Sequence, residues 1–523
     1  MAGAHPAGVR RRGCRLALAA TALCAALVLG GAGAGAAQAA AAPAMFYVGF
    51  SKQDITPTQL PFDYLGGEGF QRVGTTIVDG GLWVRTLAIA AAGPHGRPVG
   101  KPVVISVLDS QGWFSGYQAA PAGLGIADYG LDQFRAAAAA RAHVPEENIS
   151  FSSTHSHTAP DAMGIWGGAP TSYLEQVKSA AVQSVSAAVA NMQPAWLRHG
   201  DADGSAYIYN PIPTSVPPDQ YSDPKTWPQY SNLTVLQALA WGTNTPVLTL
   251  FDFGTHPDIL EGSDLISPDW PAQTINHAVG AQGGGDAMFL PGVMGSEPRF
   301  PGGDTQPHSD SYLQSEEATY ANQINGVYDQ AVANAVPVDK GGVAASTVHI
   351  EVPSTNALLL GFDIVDAPAD VQKKVGVGHI ERATVPPYLT GNVLGAPVTA
   401  VRIGDGALFG TPGEIYSDVF FSARDQIHAG WYLPSSLTDD QIGYVVLPAE
   451  WPVAEAYGAE GPAALYSIGP SVGAQVVNGL ERSAGGAGLA VTPQPADLVA
   501  DQDPVADQMQ YCVTSGACQA GLP

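Results

Sequence analysis

Residues 148–161 read NISFSSTHSHTAPD. A short β-like run ends in two histidines two apart, and a proline stops it. Just before it, LDQFRAAAAARAHV (131–144) is alanine-rich and helical, and PVVISVLDS (102–110) is a continuous apolar run of the kind a buried strand carries. Strand, helix and strand in that order predict an α/β fold, with a central β core and flanking helices.

The rest of the chain agrees. FYVGFSKQDITP (46–57) begins as a strand and breaks at Pro57, and LWVRTLAIAA (82–91) alternates as a strand does. YLEQVKSAAVQSVSAAVANM (173–192) and SEEATYANQINGVYDQAVANAV (315–336) read as long helices. PVLTLFDFGTH (246–256) is a further strand, and AMFLPGVMGSEP (287–298) is a strand running into a glycine loop. TAVRIGDGALFGTPGE (399–414) reads as a hairpin, two apolar runs around Gly-Asp-Gly. The segment 196–240 is rich in Pro, Asp, Ser and Tyr and is expected to be a long irregular insertion, the kind of loop that often serves as a lid. Residues 415–485 are expected to pack back to complete the site within the main unit, 46–485.

The ends read differently. In residues 1–39, Arg10, Arg11, Arg12 and Arg15 precede an apolar stretch, and Ala37-Gln38-Ala39 fits a small-residue cleavage site, the pattern of a secretory signal peptide. No later segment has 18 continuous apolar residues, so no stable membrane anchor is expected and the protein is read as secreted. Of four cysteines, Cys14 and Cys24 fall in the leader. Cys512 and Cys518 lie in the irregular tail 486–523, where an oxidising compartment favours a disulfide. The formal net charge of −25 opposes nucleic-acid and anionic-lipid binding, so no nucleic-acid partner is expected.

His155 and His157 can share one site, because residues i and i+2 of an extended segment point the same way. Neutral imidazole suits zinc. His256 lies just past the strand at 246, Glu414 past the hairpin, and Tyr444 in the short apolar run IGYVV. Functional groups collect at the carboxyl ends of strands in α/β folds. Two His and one Glu on zinc leave a position open, as a catalytic site needs. Taken singly, His256 also fits a core histidine on a loop carbonyl, and Glu414 a helix N-cap.

Together VGFSKQDITP, VVISVLDS, FSSTHSHTAPD, FGTHPD, ISPDW, LFGTPGE and GYV resemble, in order, the catalytic domain of the neutral, non-lysosomal ceramidase family over roughly residues 46–480. The resemblance implies one Zn2+ held by His155, His256, Glu414 and Tyr444. It implies that His157 faces the substrate carbonyl and stabilises the developing oxyanion. Asp269 of ISPDW belongs to a matching stretch, with no role attached.

Three departures from the family stand out. Its serine sits in a Gly-Asp-Val-Ser-Pro loop, whereas the loop here is FLPGVMGSEPRF, with Ser296 its only serine. The nucleophile is therefore either Ser296 or water, whose pKa zinc lowers to about 7. The family's Asn-Arg-Ser-Pro arginine has no counterpart in YIYNPIP, where Asn210 precedes Pro211, and with fewer than 80 residues after Tyr444 the family's C-terminal immunoglobulin-like domain is not expected. The leading expectation is a secreted zinc amidase acting on ceramide or a similar lipid amide. The alternatives are a zinc hydrolase of another ester or amide, and a secreted binding protein on the same scaffold. Trp113, Trp166 and Trp270 lie beside the motif loops, either lining an acyl groove or packing the core. The oligomeric state is not legible.

Overall fold

The computed structural model describes residues 43–67, 72–116, 126–209, 229–298, 308–354, 380–382, 392–454 and 463–492. The leader, the Cys512–Cys518 pair and most of the tail lie outside these residues.

Eight strands form the main sheet. They are β1 (Met45–Asp54), β2 (Trp83–Ala92), β3 (Pro98–Leu108), β4 (Ile149–Ser153), β5 (Gln193–Asp203), β6 (Asn232–Ala240), β7 (Pro246–Phe253) and β8 (Asp286–Pro291). Their order is β8-β7-β6-β5-β1-β2-β3-β4, and Val336–Pro337 adds a short ninth strand beside β5. The middle of the sheet is antiparallel. Its two ends are parallel pairs, β3 with β4 and β7 with β8. Each parallel pair needs a crossover, supplied by helix α1 (Leu131–Ala142) and helix α3 (Trp270–Gln282), with α2 (Thr171–Ala190) and α4 (Asp310–Ala333) beside them.

The two faces of the main sheet follow the period of two. Val84, Ala88, Val104, Leu108, Ile149 and Phe151 pack under Leu131, Phe134, Leu174 and Val177 of the helices. Phe251, Phe253 and Phe289 likewise pack under Trp270, Tyr320 and Ile324. The intervening residues Leu87, Ile89, Val103, Ile105, Leu248, Leu250 and Met288 face a second sheet instead. Burial on both faces explains the unbroken apolar run of PVVISVL.

The second sheet contains β9 (Val343–Ser354), β10 (Asn392–Ile403), β11 (Gly406–Gly410) and β12 (Tyr432–Ser435), in that order. Val401, Ile403, Leu408 and Leu433 meet the main sheet. Val398, Ala400 and Phe409 meet helices α5 (Ser417–Gln426) and α6 (Val472–Gly486) through Val419, Phe420, Val476 and Leu480. The order of layers is helices, sheet, sheet, helices. The expected hairpin is present as β10 and β11, and the helices α5 and α6 that come after it pack onto the second sheet.

The reading of 196–240 as an irregular insertion is corrected. Asn232–Ala240 pairs residue by residue with Ala195–Asp203 in the middle of the main sheet. Small residues concealed the pattern, since Ala195, Leu197, Gly200 and Ala202 are the buried set of β5. Gly200 is required because α4 crosses there, and a Cβ would meet the Ala331 carbonyl oxygen and lie 2.7 Å from Ala335 Cα. Residues 210–228, with Asn210 and Pro211, lie outside the described residues.

Candidate metal centre

Three strand–helix–strand units, β3-α1-β4, β7-α3-β8 and β11-α5-β12, send their loops to one place. The segment after β12 is threaded between the two end strands of the main sheet. Ser436 N–H donates to Pro291 O (2.8 Å), Asp439 N–H to Phe151 O (2.6 Å) and Ser153 N–H to Leu437 O (3.2 Å). This closure brings the ends of β4, β7, β8 and β11 together, although β4 and β8 are terminal in the sheet order.

His155 follows the end of β4 at Ser153. Its φ of 72° is left-handed, a conformation that costs about 1–3 kcal/mol and is held by tertiary contacts. Its N–H donates to Ser110 O at 2.8 Å, and its Nδ1 lies 2.6 Å from Gln111 O. The two histidine rings therefore do not meet by strand alternation as the sequence suggested. The chain turns at His155, and the ring centroids of His155 and His157 end 4.8 Å apart. Ser156 Oγ and Thr158 Oγ1 both donate to Ser267 O (2.6 and 3.0 Å), and His157 N–H donates to Pro257 O (3.1 Å). The THSHT loop is thereby fastened to the two loops that flank it in space.

His256 follows β7. Its Nδ1 is 3.1 Å from Ser296 O, and Trp270 Nε1 donates to its carbonyl at 3.2 Å. Asp269, which caps α3, accepts from Trp270 N–H (2.7 Å) and Leu260 N–H (2.8 Å) and so shapes the loop between His256 and α3. Glu414 follows β11 and pairs in parallel with Tyr444.

All three histidines are buried. Each has Nδ1 against a fixed acceptor: Gln111 O, Ser296 O, or Glu261 Oε1 for His157, the last at 3.0 Å. Their candidate ligand atoms lie within 4.8 Å of one another, so the group could hold a metal ion. His157 Nε2 is 3.3 Å from His155 Nε2. Glu414 Oε2 is 3.3 Å from His155 Nε2 and 3.1 Å from His256 Nε2. A tetrahedral ion with bonds of about 2.0–2.1 Å sets its ligand atoms about 3.3–3.4 Å apart. Imidazole and carboxylate are donors that zinc takes, and the spacings of Glu414 to His155 and His256 match such an ion.

Burial alone would raise the pKa of Glu414, but the His155 and His256 rings outweigh it and hold the carboxyl well below its ordinary range. Gln441 Nε2 donates to its second oxygen at 2.7 Å. Burial pushes the His157 pKa down, opposed by the Glu261 carboxylate and helped by the other two histidines.

The remaining expected residues lie nearby. The Tyr444 ring centroid is 6.4 Å from that of His256. Ser296 is buried, its carbonyl fixes His256, and its Oγ has no hydrogen-bond partner among the described residues. Trp113 and Trp270 are core residues, packed on Phe134 at 5.1 Å and on Phe289 at 5.1 Å. Trp166 is half-buried and donates from Nε1 to Gln111 Oε1 at 2.9 Å. Sequence reading missed Gln111, Glu261 and Gln441. Glu261 lies five residues after His256 in HPDILEG, and position in that loop is the one signal that points to it. Among the described residues, no helix is long and apolar enough to cross a membrane.

Solved structures that share this fold include two ceramidases. A neutral ceramidase from Pseudomonas aeruginosa has a TM-score of 0.63 and 15% identity, covering 87% of this chain and 77% of its own. A ceramidase complexed with C2 has a TM-score of 0.60 and 16% identity, covering 88% of this chain and 78% of its own. No protein-family model matches the chain, and no curated protein matches it.

Proposed function

We propose that the protein is a secreted zinc hydrolase that cleaves the N-acyl amide bond of ceramide or a related lipid amide. One observation carries the reading: three imidazoles with anchored Nδ1 atoms converge with Glu414 at the strand ends of a ceramidase-like fold. His155, His256 and Glu414 would hold the ion, with Tyr444 beside them as the fourth ligand. Zinc, when bound, supplies a Lewis acid for the acyl carbonyl and lowers the pKa of the attacking hydroxyl. The chain's own part is positional. Backbone carbonyls hold two of the rings, Gln441 holds Glu414, and burial excludes competing water. His157 turns Nε2 toward the same space, where the scissile amide would lie.

A second reading, hydrolysis of another acyl ester or amide, is favoured by the serine loop. Ser296 Oγ has no base within hydrogen-bond reach among the described residues, so water is the nucleophile that this geometry suits.

Elemental analysis and a fluorescent N-acylsphingosine assay on wild type and His155→Ala test both readings. About one zinc per chain, lost with activity in the variant, is the expected result. Zinc without ceramide turnover selects the second reading, and a wild type that takes up no zinc refutes both.

A further inference from the structure

Glu261 has no part in the resemblance from which the site was first read. Its Oε1 lies 3.0 Å from His157 Nδ1. A carboxylate only accepts hydrogen bonds, so Nδ1 carries the hydrogen. A neutral imidazole has one N–H, which leaves Nε2 bare. That bare nitrogen is the one turned to the centre, 3.3 Å from His155 Nε2. A neutral His157 held in this way has no hydrogen to offer an oxyanion. It offers a lone pair.

The pair is built into its surroundings. Arg72 Nη1 donates to His157 O and Gly66 O, both at 2.8 Å, and Nη2 donates to Ser263 O at 3.4 Å. The same guanidinium passes 3.8 Å from Glu261 Oε1, a cation that favours the ionised carboxylate. Gly67, at φ 90°, covers the contact: a Cβ there would meet Glu261 Oε1 and lie 2.8 Å from His157 Cβ.

We infer that Glu261 is the positioning residue of the centre, fixing His157 as its Nδ1–H tautomer with Nε2 aimed at the reacting atoms. The inference rests on the hydrolase reading for its chemistry. As the attacking oxygen bonds to the acyl carbon, its proton passes to His157 Nε2. The same proton passes to the leaving nitrogen as the C–N bond breaks. The imidazolium formed in between keeps its other N–H on Glu261, an arrangement with the logic of a histidine–carboxylate pair in acyl transfer.

The test uses full-length protein and three readouts. In zinc-free wild type labelled with 15N-histidine, the His157 side chain, assigned by its loss in His157→Ala, is expected as the Nδ1–H tautomer. In Glu261→Gln, kcat on fluorescent N-acylsphingosine is expected to fall about 10- to 100-fold with zinc per chain unchanged. In Glu261→Asp part of the loss is expected back. An Nε2–H tautomer in wild type overturns the inference whatever the variants do. So does an undiminished kcat in Glu261→Gln, or loss of zinc in that variant, which would make Glu261 a residue of metal retention. If wild type hydrolyses no acyl substrate, the hydrolase reading falls separately, and the tautomer alone decides the pairing.

Discussion

Glu317→Gln is expected to change how the stability of this protein depends on pH. Glu317 lies on α4 and is 1% exposed. Burial, then the nearby charges of Asp269 and Asp79, raise its pKa from 4.5 to about 10. The folded protein thus keeps this proton up to about pH 10, while the unfolded chain loses it near 4.5. Between those values the folded state binds one more proton, and raising the pH favours unfolding by about 1.4 kcal/mol per pH unit. The slope depends on the one-proton difference and not on the size of the shift. From pH 6 to pH 8, wild type is expected to lose roughly 2.7 kcal/mol relative to Glu317→Gln, which has no proton to lose. Urea unfolding of metal-free protein, followed by tryptophan fluorescence at several pH values, measures the difference directly. Parallel stability curves for the two proteins would refute the reasoning.

The effect should reach the centre. Asp79, facing Glu317, accepts from Ser267 Oγ at 2.6 Å, and Ser267 O holds both Ser156 and Thr158 of the histidine loop. Asp269, raised to about 7 by burial, adds a second proton loss to wild type and variant alike as pH rises toward 7.

Removing zinc by chelation should lower the melting temperature. At a free concentration 100 times Kd the ion contributes about 2.7 kcal/mol, and calorimetry with and without zinc chloride should show a difference that His256→Ala abolishes. Asp161→Ala should destabilise by about 3 kcal/mol or more. It strips the acceptor from the N–H groups of buried Gly164 and Gly168 and half-buried Trp166, at 2.9, 2.9 and 2.7 Å, and the urea midpoint reports the loss. Gly200→Ala should cost about 1–3 kcal/mol by pressing on α4, with the urea midpoint lowered and the m-value unchanged.

The strand–helix–strand reading of residues 102–155 rests on periodicity, and β3, α1 and β4 form there because both faces of β3 are covered. Periodicity failed in β5, where Ala195, Gly200 and Ala202 bury too little apolar area to register as a strand yet are the sizes that sit beneath a crossing helix. His155, His157, His256 and Glu414 were legible as residue types placed just after strands. Their convergence was implied by the family resemblance and not by local pattern, because β4 and β8 are terminal in the sheet order, and only the segment after β12 brings their ends together.

Local sequence alone determined which residues form strands and helices, and which loops carry imidazole and carboxylate, because hydrophobic period and turn chemistry act over a few residues. Tertiary structure decided which way each ring nitrogen faces. Nδ1 of His155 is set by a carbonyl 44 positions away, that of His256 by one 40 positions away, and that of His157 by a carboxylate 104 positions away. A tautomer follows from the partner that accepts its hydrogen, and in this protein those partners are brought near only when the sheets close.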